Sequence, residues 1–134
     1  MCKNIEQVLS EKGCCVISTK GDSMWPVIKS GRDKVLIVLP GSLSKNDIVL
    51  YRKHNTLILH RIVEICNNYV ITRGDNYTAT EKVFKEEIIG KVDGIYGKKN
   101  FHSCNSPHIK SKYFARKIAS PIINLYRKGR KQNG

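Results

Sequence analysis

The sequence predicts a mainly β, antiparallel and partly closed domain, with a short helix at its start and a basic helical tail at its end. Two observations carry this. Short runs rich in Val, Ile and Leu recur at residues 14–19, 34–39, 47–52, 57–66, 69–73 and 88–96, each of strand length. Pro40-Gly41, His54-Asn55 and Asn67-Asn68 stand between them and mark turns. Several short strands separated by turns are the pattern of an antiparallel sheet that closes on itself in part.

Taken in order, residues 4–12 read as a helix, because Ile5, Val8 and Leu9 fall on one face and Gly13 supplies a stop. Residues 14–19 form a strand that delivers the chain to the turn Gly21-Asp22-Ser23-Met24-Trp25-Pro26. The strand at 34–39 ends at Pro40-Gly41. Residues 47–52 and 57–66 read as a hairpin around His54-Asn55, and Asn67-Asn68 turns the chain into 69–73. Residues 76–87 show no period and read as loop with a helical turn. The stretch 88–96 is expected to be the last strand. A linker rich in Lys, Asn, Ser and His follows, from 97 to 111. Tyr113, Phe114, Ile118, Ile122, Leu125 and Tyr126 then recur at helical spacing between basic residues, with Pro121 bending or restarting the helix. The expected division is a domain at 1–97 and a basic linker and tail at 98–134.

A chain of 134 residues is one domain by length. It is long enough to bury roughly two-thirds of its unfolded surface. The apolar content of 40% excludes a disordered chain. The formal charge of +13 is unevenly placed: ten of the 24 basic residues and none of the 11 acidic ones follow Asp93. A basic tail meets nucleic acid or anionic lipid. Its aromatic and basic mixture fits a helix lying in a membrane surface, with a cover packed on the sheet as the alternative. No window approaches the roughly 20 apolar residues that span a bilayer, and Glu6, Glu11 and Lys12 interrupt any export pattern. The expected location is cytoplasmic, with association at a membrane surface. Five cysteines (Cys2, Cys14, Cys15, Cys66, Cys104) without C-x-x-C spacing read as free thiols. His102, Cys104 and His108 match no strong zinc template, so no metal or organic cofactor is expected.

Chemistry concentrates in three places. Ser23 sits between a Gly-Asp pair and a Met-x-Pro turn. His60-Arg61 lies within the run at 57–66. Arg73-Gly74-Asp75-Asn76 follows the run at 69–73. A serine hydroxyl is a poor nucleophile at neutral pH and needs a base within hydrogen-bond reach. Histidine, with an ordinary pKa of about 6.5, is largely neutral there, and an acid can fix its tautomer. Gly21 permits a tight turn and Pro26 fixes φ just beyond the serine. Each residue also has a plainer reading: Ser23 as a turn cap, His60 as a half-buried strand histidine, Asp75 as a brace for a Gly-Asp-Asn turn. Met24, with Pro26, is assigned to the wall of a substrate groove.

The segment from Gly21 to Pro26, with Gly31 and Asp33, resembles the nucleophile box of type I signal peptidases and of the related self-cleaving repressors. Asn46-Asp47-Ile48-Val49-Leu50-Tyr51 resembles the strand box that follows. Leu59-His60-Arg61-Ile62-Val63 is similar to the His-Arg box of the endoplasmic-reticulum and archaeal branch, where the bacterial branch and the repressors place a lysine. Thr72-Arg73-Gly74-Asp75-Asn76 resembles that branch's Thr-Lys-Gly-Asp-Asn box, and Ile89-Gly90-Lys91-Val92 its closing strand. The resemblance covers roughly residues 15–97. Where the branch usually carries a further aspartate, seven residues after the box glycine, this chain has Glu81. The resemblance implies a β-rich fold and an extended substrate with small residues before the cut.

The expected function is therefore a serine endopeptidase acting on a precursor protein or peptide. Ser23 attacks the scissile carbonyl, His60 is the base, Asp75 or Glu81 orients the imidazole, and the Ser23 N–H helps bind the oxyanion. A self-cleaving repressor-like domain is the first alternative, although the 22 residues before Ser23 leave little room for a DNA-binding domain and a cleavable linker. A non-catalytic basic β-domain that binds nucleic acid or anionic membrane is the second. Aromatic residues are not interleaved with charge on any expected strand, as stacking on bases requires, so no nucleic-acid partner is expected.

Overall fold

The computed structural model describes residues 4–97 and 101–103. Helix α1, Ile5–Lys12, is closed at both ends by its own neighbours. The Asn4 side chain accepts from the Gln7 N–H at 2.9 Å and the Gln7 side chain accepts from the Asn4 N–H at 3.0 Å, a reciprocal cap on two otherwise orphaned donors. Gly13, at φ 80°, takes the left-handed conformation that ends the helix, and its N–H donates to the Leu9 carbonyl.

Eight strands follow: β1 (Cys14–Ser18), β2 (Lys34–Val38), β3 (Ile48–Lys53), β4 (Thr56–Ile65), β5 (Tyr69–Arg73), β6 (Thr80–Phe84), β7 (Ile88–Tyr96) and β8 (Phe101–Ser103). They make one sheet, antiparallel at every pairing, in the order β1-β2-β7-β3-β4-β5-β6, with β8 added to β7. The protein is mainly β, as its composition of short apolar runs requires. His54 and Asn55 both have positive φ, 51° and 63°. They form a two-residue hairpin loop whose twist matches that of β3 and β4.

Two hydrophobic clusters fill the interior, and β3 divides them. Successive strand side chains point to opposite faces, so Ile48 and Leu50 join Leu9, Met24, Val27, Val35 and Ile37 in one cluster. Val49 and Tyr51 join Ile62, Val70 and Val83 in the other. All four β3 residues are buried, which is why this run reads as continuously apolar instead of alternating.

Two expectations need correction. Residues 76–87 are not mostly loop: Thr80–Phe84 is strand β6, followed by a 3-10 turn at Lys85–Glu87. Only Val83 of β6 is buried, because β6 ends the sheet and faces solvent with the rest, so the sequence shows no apolar period. Nor is 88–96 the last strand. β8 pairs Gly94 with Ser103 and Tyr96 with Phe101, so the sheet continues beyond residue 97 into the stretch read as linker. The Tyr96 and Phe101 rings pack there at 4.7 Å. The remainder of the basic tail, its amphipathic helix and its suggested membrane contact lie outside the described residues. The same holds for Cys104 and His108.

Besides the outer edges of β6 and β8, two further strand edges are unpaired among the described residues. β1 pairs only with β2. β4 pairs with β3 over Thr56 to Arg61 but with β5 only from Arg61 to Ile65. The first half of β4 therefore keeps one edge open.

Candidate active site

The turn after β1 is fixed from below by apolar side chains. Met24, Val27 and Ile28 are buried in the first cluster, and the Ile28 N–H donates to the Met24 carbonyl at 2.9 Å. Asp33 locks the far end. It is 2% exposed, accepts from the Lys29 N–H at 2.8 Å, and receives Arg32 Nε at 2.7 Å. Ser23 rides on this turn, half-buried.

The loop after β5 clamps the turn from above. The Asn76 N–H donates to the Ser23 carbonyl at 2.9 Å. Asn76 Nδ2 donates to the Asp22 carbonyl at 3.1 Å and the Tyr77 hydroxyl to Asp22 Oδ1 at 3.1 Å. These bonds draw the β5–β6 end of the sheet onto the segment leaving β1 at its other end. The loop is itself held by Arg61, whose Nε and Nη2 donate to the two Asp75 oxygens, each at 2.8 Å. Arg61 Nη1 donates to the Asn46 carbonyl.

Gly74 lies where all this meets. A Cβ on Gly74 would stand 2.7 Å from the Ser23 carbonyl oxygen, 3.1 Å from Ser23 Cβ and 3.2 Å from His60 Nε2. Ser23 and the imidazole thus flank one point, no further apart than the last two distances together. A side chain at position 74 would push between them, so only glycine lets the loop approach this closely.

Behind the imidazole, neighbouring strands β3, β4, β5 and β6 each contribute one side chain on the same face. The Tyr51 hydroxyl is 3.1 Å from His60 Nδ1 and 3.2 Å from Thr72 Oγ1, and donates to Glu81 Oε1 at 2.5 Å. Glu81 Oε2 pairs with Lys53 Nζ at 3.1 Å. Burial pushes the Glu81 carboxyl up, but the hydrogen bonds from Tyr51 and Lys53 outweigh it and hold the group below its ordinary value. Burial, then the bond to the Glu81 carboxylate, raises the Tyr51 hydroxyl well above the usual phenol range. The Tyr51 and Tyr77 rings stand edge-on to the imidazole at 6.1 and 6.3 Å.

A groove of about 780 Å3 opens in front of Ser23 and His60. Ile17 and Ser18 of β1 line one part and Leu57 to Leu59 of β4 another, and both strands have an open edge there. Met24, Ile28 and Leu50 supply apolar floor.

The candidates from the sequence fall out unevenly. Ser23 and His60 come together. Glu81 reaches His60 through Tyr51, a residue given no role from the sequence. Asp75 is engaged by Arg61, bidentately, in the place the brace reading gave it. Adjacent residues on β4 point to opposite faces, so Arg61 leaves the face that carries His60 and meets Asp75 from the other side of the strand. Met24 is a core residue that also borders the groove, whereas Pro26 is half-buried in the turn and is not among the described residues lining the groove. Asn76 and Tyr77 were missed; their signal was their place next to the Gly-Asp pair of the same box. Cys14, Cys15 and Cys66 are free thiols. Among the described residues no three His, Cys, Asp or Glu side chains converge to hold a metal, and no helix is long and apolar enough to cross a membrane. No family model matches the chain, and no curated protein matches it.

Proposed function

We propose that this chain is a serine endopeptidase of the signal peptidase kind, with the corresponding partly closed β-fold, and that it cuts an extended segment of a precursor protein or peptide. The observation that carries the reading is the approach of Ser23 and His60 Nε2 to one point beside Gly74, at the head of a groove with apolar floor. His60 Nε2 takes the Ser23 proton as Oγ attacks the scissile carbonyl, and returns it to the leaving amine. The Ser23 backbone N–H donates to the oxyanion. Water then releases the acyl group by the same proton path in reverse. The open edges of β1 and β4 beside the groove suit an extended peptide, whose backbone bonds to strand edges as an added strand does. On charge alone, the basic segment 98–134 suits contact with an anionic membrane surface.

The test is to mix wild type and Ser23→Ala with cell-derived precursor peptides and read the products by mass spectrometry. Wild type yields new termini and Ser23→Ala yields none; the same products from both end the proposal.

Gly74→Ala checks the geometry. Position 74 does not have the positive φ that strains other residues, so alanine suits the local backbone and the conflict is with the Ser23 carbonyl first, then with Ser23 Cβ and His60 Nε2. Displacing a reacting group by about an ångström costs on the order of 10²-fold. A loss of that size in kcat/KM is expected, in protein whose circular dichroism is unchanged. Full activity in Gly74→Ala contradicts the placement of Ser23 against the loop.

A further inference from the structure

We propose that Tyr51 is the positioning residue of the base: its hydroxyl, oriented by Glu81, holds the neutral His60 imidazole in the tautomer with the proton on Nδ1 and leaves Nε2 to accept. The role in catalysis rests on the peptidase reading above; the tautomer does not.

The argument is one of counting protons. A phenol has one O–H hydrogen, and an ionised carboxylate only accepts. Tyr51 is 2.5 Å from Glu81 Oε1 and 3.1 Å from His60 Nδ1. Glu81 is further fixed as an anion by Lys53. The Tyr51 proton therefore goes to Glu81, along a charge-assisted bond of the shorter and stronger kind. Towards His60 the phenol oxygen has only lone pairs to offer, so Nδ1 carries the hydrogen. Thr72 Oγ1 lies 3.2 Å from the same oxygen and donates its own hydrogen to the Glu81 carbonyl at 3.4 Å, so it supplies no proton that would turn Nδ1 into an acceptor. The fully buried Tyr51 ring fixes the oxygen in place. Among the described residues the ionisable groups around the imidazole include Tyr51, Tyr77, Glu81 and, beyond the carboxylate, Lys53. When the imidazole takes up the serine proton, the polarised phenol carries the influence of the Glu81 charge to the ring without itself giving up a proton. A carboxylate one residue removed thereby does, through a hydroxyl, what a direct acid partner does for a catalytic histidine.

The experiment uses the full chain labelled with 15N. Long-range 1H–15N correlations above the imidazole titration report which ring nitrogen is protonated, and His60 is assigned among the four histidines by the signals missing from His60→Ala. Wild type is expected to show a protonated Nδ1 and a bare Nε2. Tyr51→Phe is expected to lose that preference in favour of Nε2–H. On a cleavable peptide its kcat falls about 10- to 100-fold, less than the roughly 10²–10⁴-fold that loss of the base itself costs, with KM little changed. Protonated Nε2 in wild type overturns the proposal, whether or not Tyr51→Phe folds. So does an unchanged tautomer in folded Tyr51→Phe, which reduces Tyr51 to packing. Nδ1–H in wild type, lost in Tyr51→Phe, in a chain that cuts no peptide upholds the positioning and overturns the peptidase reading. Cleavage by a wild type with Nε2–H does the reverse.

Discussion

Replacing His60 by alanine lowers kcat/KM for a cleavable peptide by about 10²–10⁴-fold, the contribution of a positioned base. Ser23→Ala removes the nucleophile and leaves no turnover through an acyl-enzyme. The two losses do not add, because both residues serve one proton transfer, and the double variant is no worse than Ser23→Ala alone. Stability moves far less. Without the imidazole, the Tyr51 hydroxyl still bonds Glu81 and Thr72, so that buried hydroxyl is not orphaned. The measurement is steady-state cleavage beside thermal unfolding of both variants. A His60→Ala chain with near wild-type turnover removes the base from the mechanism.

Asp75→Ala is expected to act in the opposite way, on stability first. The side chains of Arg61 and Asp75 are 8% and 2% exposed, and the alanine leaves the guanidinium buried with two of its bonds gone. Breaking a buried pair by removing one partner costs about 3–5 kcal/mol. That is a large share of the roughly 5–15 kcal/mol that holds a domain of this kind together. Urea unfolding at pH 7 reads the loss. Arg61→Met with Asp75→Leu recovers much of it, since matched apolar side chains of similar volume replace a buried pair at little cost. An Asp75 that acted on His60 directly would behave differently: its alanine would lose kcat at unchanged stability, and that result would give the orienting role to Asp75.

The contrast shows what a sequence can and cannot convey about such a site. The serine turn was legible because its neighbours are constrained by local geometry: Gly21 needs positive φ, Asp33 must close back on Lys29, and both are visible as residue types at fixed spacing. His60 was legible through the His-Arg pair it forms with Arg61, whereas its place in a strand alone reads as a half-buried histidine. The hairpin at His54-Asn55 was legible because few residues accept two successive positive φ values. Asp75 against Glu81 was not decidable, since both are carboxylates in the same stretch of chain and the sequence does not show that Arg61 pairs with Asp75 and Tyr51 with Glu81. Tyr51 was hidden for a related reason. In a strand buried on both faces, a tyrosine looks like one more large apolar residue. Its hydroxyl acquires meaning only from the register that sets β3, β4, β5 and β6 side by side. Strand β6 was hidden because its inward positions carry Glu81 and Val83 and its exposed ones Thr80, Lys82 and Phe84, so polar and apolar residues do not alternate with burial.

The central claim is that one alcohol and one imidazole act together at Gly74. The most direct measurement is a crystal structure of the wild-type chain with a peptide aldehyde that carries a small residue next to the reactive carbonyl. The expected result is a hemiacetal from Ser23 Oγ to the aldehyde carbon, with the peptide extended along the groove and His60 Nε2 within about 3 Å of the new bond. An aldehyde bonded elsewhere, or a Ser23 left unmodified with the imidazole turned from it, would contradict the claim.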